Sequence, residues 1–589
     1  MTASNNIIDP VVVYADEEEL PHPIAQTKTA TTIRSTAETI RRKITTREGI
    51  LGDFDYAYLF TPRIPFYTSM KERQSSEPTR SSTVFFGLNS SIPLLLGIVL
   101  GLQHCLAMLA GIITPPIIIS SMANLTTEDS EYLVSASLIA CGFLSMVQII
   151  RFRILKTKYY IGTGLLSVVG TSFSTISVVS TAFPQFYKNG FCPSDANGKP
   201  LPCPDAYGAL LGTCAVCGLI EVLLSFCPPK ILQKIFPPLV TGPVVLLIGT
   251  SLVQSGFQDW VGGSGCATPG TICPSPGAPH ALPWGSAQFI GLGFLAFVCI
   301  VLCEKWGSPF MKSCSIVISL IIGCIVAAAC GYFDRSTIDA APVANFMWVK
   351  TFRLSVAGNM VLPVLSVYIV CMMETIGDVT ATSDVSRQPV EGDLYDSRIQ
   401  GGVLADGLNS IIAALMTITP MSTFAQNNGV ISLTQCANRV AGLWACFFLI
   451  IMGIFSKFAG AIVAIPKPVL GGVTTFLFSS VAVSGIKIIS SIPFTRRDRF
   501  VLTASLMFGF AALLVPNWFS QVFTYQGDNN RLKGLLDAVI IFMETPYSIA
   551  GFVGVIVNLV IRQEFDVATS IEDLDGTENV HLPGAETEK

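Results

Sequence analysis

The sequence predicts an all-α polytopic membrane protein of about fourteen transmembrane spans, arranged as two inverted repeats of about seven spans each. Three observations predict it. Of the 589 residues, 51% are hydrophobic and only 13% are charged, with a mean hydropathy of +0.58. Soluble domains carry about 25% charged residues, so an ordinary globular enzyme is excluded. Apolar segments follow one another through the whole central part of the chain, and Pro/Gly punctuation in the first half recurs in the second. The net charge of −4 and the lack of a basic, aromatic stripe give no case for a nucleic-acid partner.

The elements follow in order. Residues 1–85 are polar, rich in Ser and Thr, and read as a solvated tail. No cleavable signal peptide is visible there, so the first span is expected to serve as the targeting signal. In 86–333, apolar segments begin near Ile92, Leu133, Gly164, Tyr207, Leu239, Phe289 and Ile316. A polar connection, 334–360, is expected outside the cell. In 361–561, a second series begins near Val361, Val403, Phe424, Val440, Gly471, Val501 and Ala538. The third and tenth segments, near Gly164 and Phe424, fall short of the roughly 20 residues that cross a bilayer. Strand-like tracts precede them, Tyr159-Tyr160-Ile161-Gly162 and Thr417-Ile418-Thr419-Pro420, and such backbone is tolerated at membrane depth only inside protein. An acidic tail, 562–589, completes the chain.

An even number of spans puts both termini on one side. Lys and Arg are more numerous in the loops of that side, which predicts cytoplasmic termini and membrane lipid around the spans. Of 17 cysteines, Cys192, Cys203, Cys266 and Cys273 fall in expected outer loops, where an oxidising medium permits disulfides. A Cys192–Cys203 bridge and an unpaired loop both remain open. Asn124-Leu125-Thr126 is an outer glycosylation sequon.

Pro237-Pro238-Leu239-Val240-Thr241-Gly242, followed by Ser255-Gly256, resembles Pro466-Lys467-Pro468-Val469-Leu470-Gly471-Gly472, followed by Ser484-Gly485. An odd number of spans per half makes such repeats opposite in sense. The two short segments then occupy equivalent positions. A half-helix that starts at mid-membrane points free backbone N–H groups and a positive dipole end into the space before it, so two of them build a polar pocket.

Glu374 and Asp378 are spaced i,i+4 on one face of an apolar helix, with no Lys or Arg in that span. Ionisable groups at that depth usually line a pathway, which reads as a membrane transporter; structural acids bonding nearby backbone are the plainer alternative. A carboxylate held away from water can bind a proton, so the site can also couple to protons. Gln426 and Asn427 open the second short helix with amides that donate and accept. Asn428-Gly429 alone would be a turn signal. Asp406 reads equally as a loop-shaping or a transport residue. His104, after Gln103, reads as a structural hydrogen-bonding residue. Phe173 would ordinarily be core, and only its position opposite Gln426 makes it a stacking platform. Arg496-Arg497-Asp498-Arg499 reads as an inner-face anchor, and Glu221 lies near the inner interface within reach of water. Glu544 has no explanation in the sequence. A carboxylate facing an amide, with one face covered by Phe173, suits a flat, hydrogen-bonding, oxygen-rich heterocycle. No metal-ligand spacing, nucleotide-binding loop or nucleophile constellation is visible, so no enzyme activity and no cofactor are expected.

Gln426-Asn427-Asn428-Gly429, with Thr434 five residues on, resembles the signature of the nucleobase–ascorbate transporter family. Glu374-Thr375-Ile376-Gly377-Asp378 resembles its acidic motif, and Gln103-His104 its first-helix motif. The likeness runs from about Thr46 to the last span and is nearest to the fungal uric acid–xanthine permeases. Gln435 departs from the signature, which usually ends in Arg, Lys or Gly. The resemblance implies a proton symporter of the plasma membrane that imports uric acid and xanthine, energised by the proton gradient. It implies core and gate domains that move against each other within a homodimer. Carried onto matching positions, Glu374, Gln426 and Phe173 would hold the purine, with backbone near Ala425. Asp378, Asp406, Asn427 and His104 would form the proton-coupling and polar network, and Arg499 and Thr545 a selectivity gate.

Two rivals of the same architecture remain: a nucleobase permease of different specificity, and an anion exchanger, against which the acidic Glu374 argues. A non-transporting receptor would have no use for paired broken helices.

Overall fold

The structure, a computed structural model, describes residues 45–561 apart from 53, 55, 63–84, 197, 199, 264–265, 267–269, 274–280 and 524–529. The expected acidic tail 562–589 and most of the tail 1–85 lie outside the described residues.

The first half builds α1 (Leu94–Met122) and α2 (Thr127–Ile149), then the hairpin β1 (Phe152–Arg153) and β2 (Tyr160–Ile161). β3 (Val169–Thr171) leads into α3 (Ser174–Lys188). α4 (Pro204–Leu224) and α5 (Pro238–Trp260) follow, then the β4–β5 hairpin (Ile272–Cys273, Leu282–Pro283), α6 (Ala287–Trp306) and α7 (Ser315–Ala329). The second half builds α8 (Gly358–Val385), α9 (Asp393–Leu415), β6 (Met421–Thr423) and α10 (Gln426–Thr434). α11 (Arg439–Ile454), α12 (Lys467–Ser490), α13 (Arg496–Leu514), α14 (Asn530–Glu544) and α15 (Pro546–Val560) complete it.

Among the described residues, seven helices (α1, α2, α4, α5, α6, α8 and α12) are long and apolar enough to cross a membrane. The number rises to nine if two bent pairs each count as one span: α11 with the short helix Ser456–Val463, at 79°, and α14 with α15, at 84°. The chain is thus a helical, multi-span membrane protein. The segments expected near Leu133 and Val403 begin earlier, at Thr127 and Asp393. Thr126 and Asp129 close a capping box at the first of these, a polar start that hydropathy alone misses.

Two strand expectations need correction. Tyr160–Ile161 pairs with Phe152–Arg153 in its own hairpin, and the strand that adjoins α3 is β3 instead. The apolar run after Gly162 is not helical: Gly162 and Gly164 sit at φ +88° and +71°, outside helical backbone, and Thr163 bonds back to Gln148. In the second half the strand begins just after Pro420, whose missing N–H suits it to a position outside the ladder.

β3 and β6 pair antiparallel deep in the molecule, with Val169 opposite Thr423, Gly170 opposite Ser422 and Thr171 opposite Met421. All six residues are buried, so the ladder satisfies backbone groups that neither lipid nor water could reach. The Pro/Gly repeat also finds its partner. α5 and α12 run antiparallel in such close contact that a Cβ on Gly249 or Gly485 would collide with the backbone of Ala482 or Leu246.

Candidate functional site

The β3–β6 ladder places the starts of α3 and α10 beside each other. Phe173 and Ala425 are the residues preceding these helices, and neither helix start carries a side-chain cap. The N–H groups of Ile176, Asn427 and Asn428 turn back to the Phe173, Phe424 and Ala425 carbonyls, so it is the very first N–H groups and the dipole ends that point beyond the helix starts.

α8 lies across this junction. Its Cys371 touches Ser172, at 3.3 Å, and Ser174. One turn on, Glu374 Oε2 accepts from Ser422 Oγ at 2.9 Å. A further turn on, Asp378 Oδ2 accepts from Thr423 Oγ1 at 3.0 Å. Both carboxylates are thus anchored to one β6 strand by neighbouring hydroxyls, and both side chains stay partly accessible. Thr375, between them, donates to Asp406 Oδ2 at 2.8 Å and stands 3.4 Å from the Thr423 hydroxyl. Thr382 ties α8 to α10 by donating to Asn428 Oδ1 at 2.7 Å.

Gln426 is partly accessible at the first position of α10, its side-chain amide without a hydrogen bond among the described residues, and Ala425 beside it is exposed. Asn427 turns the other way, into the core, where His104 Nδ1 donates to its Oδ1 at 3.3 Å. Gln103 Nε2 donates to Ser313 Oγ at 2.8 Å, pinning α1 to the segment before α7.

Phe173 lies parallel to Phe424, with centroids 6.1 Å apart and planes at 8°, and meets Phe478 of α12 edge-on at 5.7 Å. Such offset and edge contacts follow the ring quadrupoles. Phe173, from the first half of the chain, is therefore held by two rings of the second. Tyr547, at the start of α15, donates to the Ser174 carbonyl at 3.2 Å, so the break between α14 and α15 abuts the same helix start.

The structure brings Glu374, Asp378, Asp406, Gln426, Asn427, His104, Ala425 and Phe173 into one neighbourhood. Thr545 is fully buried at the α14–α15 break, where its hydroxyl donates to the Ile541 carbonyl at 2.7 Å. Arg499 stands exposed on α13, away from these contacts. The pinned guanidinium of that cluster is Arg497, which donates to Ile561 and Asn558, while Asp498 closes a capping box with Thr495. Cys192 and Cys203 are joined by a disulfide in the loop after α3, and Cys266 and Cys273 by another. Glu221, expected within reach of water, is fully buried.

Several residues were given no role from the sequence: Ser422, Thr423, Thr375, Phe424 and Phe478. Ser and Thr are common in membrane helices, so a hydroxyl carries no signal until the strand that presents it is placed. Thr375, between two acids, offered the best hint.

Residues 96–518 match a model described as "Permease family". A purine permease of Emericella nidulans is 57% identical over 551 residues, covering 92% of this chain and 93% of its own. A uric acid-xanthine permease of the same fungus is 59% identical over 535 residues, covering 91% and 92%. A xanthine permease of Escherichia coli is 32% identical over 502 residues, covering 84% and 99%. With most of its length matched at these identities, the chain belongs to the xanthine and uric acid permeases of the nucleobase–ascorbate transporter family and is a transporter, not an enzyme.

Proposed function

We propose that this protein imports uric acid and xanthine across the plasma membrane as a proton symporter, by moving a core domain against a gate domain. The observation that carries the reading is the arrangement around β6. Glu374 is bonded to Ser422 on the strand that leads into Gln426, Phe173 stacks on Phe424 of the same turn, and neither short helix start carries a side-chain cap. A purine dione offers ring N–H groups to the carboxylate, carbonyls to the amide and a face to the ring. Glu374, Gln426, Phe173 and the backbone at Ala425 are its ligands in this reading. Asp378, Asp406, Asn427 and His104 supply the polar network around them.

In the same reading the fourteen spans divide as 86–333 and 361–561, two inverted repeats joined by 334–360, with 1–85 and 562–589 cytoplasmic. The antiparallel pairs β3–β6 and α5–α12 support the inversion, since each joins corresponding elements of the two halves. Assigning α5 and α12–α15 to the gate, and the helices around β3 and β6 to the core, makes three bonds cross between them, and these support the movement. Ser177 bonds Ser251 at 3.0 Å, Ser366 bonds Ser548 at 2.9 Å, and Tyr547 bonds the Ser174 carbonyl. Neutral single hydrogen bonds are each worth only about 1 kcal/mol, and can be exchanged as one domain slides past the other. A homodimer would hold the gate domains fixed while the cores move. Thr545 and Arg499 are assigned to the gate that filters substrates.

The test is radiolabelled xanthine uptake in cells lacking their own purine permeases, with and without a protonophore, competed by excess uric acid. Uptake abolished by the protonophore and blocked by uric acid is expected. Uptake that ignores the protonophore would refute proton coupling. Absence of uptake from protein at the surface would refute the substrate assignment.

A further inference from the structure

Glu221 on α4 and Asp406 on α9 are both fully buried. Gly407 lets the two helices approach: a Cβ there would lie 2.9 Å from the Val222 nitrogen and 3.2 Å from the Glu221 Cβ. Asp406 adjoins Gly407, so the two buried side chains start from the same close helix contact. Among the described residues, neither Glu221 oxygen nor Asp406 Oδ1 is closed into an ordinary hydrogen bond. The other titratable groups near Glu221 are Glu374, Tyr368 and Cys371 on α8, with Cys217 one turn back on α4 itself. None of them carries a positive charge. The Tyr368 hydroxyl is already committed to the Cys214 carbonyl, at 2.8 Å.

Two carboxylates side by side and shielded from water cannot both stay ionised, so such a pair holds at least one proton and titrates as a unit. Asp406 also looks toward the transport site. Its Oδ2 accepts from Thr375, whose oxygen stands 3.4 Å from the hydroxyl that Thr423 donates to Asp378. A change of charge at the pair therefore reorients two hydroxyls that lie against β6 and the substrate-facing acids.

We propose that Glu221 is the second half of a proton-holding pair with Asp406, and that the pair, rather than Asp406 alone, sets when the transporter takes up and releases its proton. The inference rests on the symporter reading above. A proton entering from outside adds to the carboxylate of the singly protonated pair; the same proton leaves toward the cytoplasm, restoring that carboxylate, and nothing else is consumed. Glu221 is a positioning residue here, acting on substrate through Asp406 and the two threonines.

The test is Glu221→Gln, which keeps the size and hydrogen-bonding capacity of the side chain and removes its ionisation. Xanthine uptake is followed against external pH in cells with matched surface levels of wild-type and variant protein. The expected result is a midpoint moved by about one unit or more, and protonophore-sensitive accumulation lowered about tenfold. A wild-type pH profile with wild-type accumulation would overturn the proposal and leave Glu221 a packing residue. If the variant is retained inside the cell, Glu221→Asp carries the test. Withdrawing the carboxyl by one methylene weakens the pairing, so a shifted midpoint supports the proposal and an unshifted one overturns it. Wild-type uptake that ignores the protonophore would instead refute the symporter reading, a result separable from the behaviour of the variant.

Discussion

Phe173 and Phe424 lie face to face, 6.1 Å between centroids, each from the turn that joins a buried strand to a short helix. The stack is seated on absent side chains. A Cβ on Gly170 would come within 2.5 Å of the Phe424 ring, and one on Gly111 within 2.7 Å. Phe424 thus fills space that two glycines leave open, and in doing so fixes the plane of Phe173.

Gly170→Ala is expected to push Phe424 from its seat at a cost of about 1–3 kcal/mol, the usual range for overpacking. Because β3 is buried and paired, part of that strain passes to Phe173. Protein at the cell surface with a KM for xanthine raised about tenfold is the expected outcome, an effect of about 1.4 kcal/mol. Phe173→Ala should weaken or loosen selectivity in the same assay. Unchanged competition by purine analogues would remove the stack from the site.

Glu374 and its donor separate two effects. Glu374→Ala removes the carboxylate, and uptake is expected to disappear while surface levels hold. Ser422→Ala removes only one hydrogen bond to that carboxylate, at 2.9 Å. A bond to a charged group contributes about 1.5–3 kcal/mol, so transport should fall by about tenfold or more without vanishing. Equal losses in both variants, measured as uptake per surface molecule, would mean that Ser422 carries the substrate and Glu374 merely holds Ser422.

The sequence exposed this site unevenly. Glu374 and Asp378 were legible because acids in an apolar run are rare and costly, and Gln426 because an amide-rich turn between spans is unusual. Their partners were not legible. Ser422 and Thr423 matter only because β6 pairs with a strand some two hundred and fifty residues earlier, by the register Val169 to Thr423. No local pattern announces that pairing. The short third helix was misplaced at its start for a similar reason: Leu165, Leu166, Val168 and Val169 read as an apolar helix, while Gly162 and Gly164 at positive φ bend the chain out of helical backbone until β3 begins. Glu221 was read as close to water because its distance along the helix from the interface was visible and its neighbour α9 was not.

Gln435 offers a test of what its departure from the family signature means. It ends α10 in the left-handed conformation, φ 55° and ψ 34°, and its N–H caps the Ile431 carbonyl. Its side chain folds back to the Ser432 carbonyl at 2.7 Å and accepts from Arg387 at 3.3 Å. Left-handed residues at helix ends are usually Gly, which fits a family that tolerates Gly here. Gln435→Gly is therefore expected to leave substrate preference unchanged and to alter thermal stability by no more than about 1 kcal/mol, the backbone relief offsetting the lost side-chain bonds. A changed ratio of xanthine to uric acid uptake would show that the side chain, not the backbone, is what this position contributes.

Thr375 is where the acid network is most exposed to a single change. Its hydroxyl donates to Asp406 at 2.8 Å from within a fully buried position, and Asp406 is itself fully buried. Thr375→Val keeps the shape and removes the donor, leaving Asp406 Oδ2 without the hydrogen bond it accepts at 2.8 Å. An unsatisfied buried polar group costs about 1–3 kcal/mol, more when charged, so the expected result is lower thermal stability together with severely reduced uptake. Thr375→Ser restores the hydroxyl and gives up only a methyl group; it should recover most of the transport while losing less than about 1.5 kcal/mol in stability. That split between Val and Ser is the decisive outcome. If both variants transport alike, the bond to Asp406 plays no part in the cycle, and the hydroxyl path from Asp406 through Thr375 and Thr423 to Asp378 would have to be abandoned.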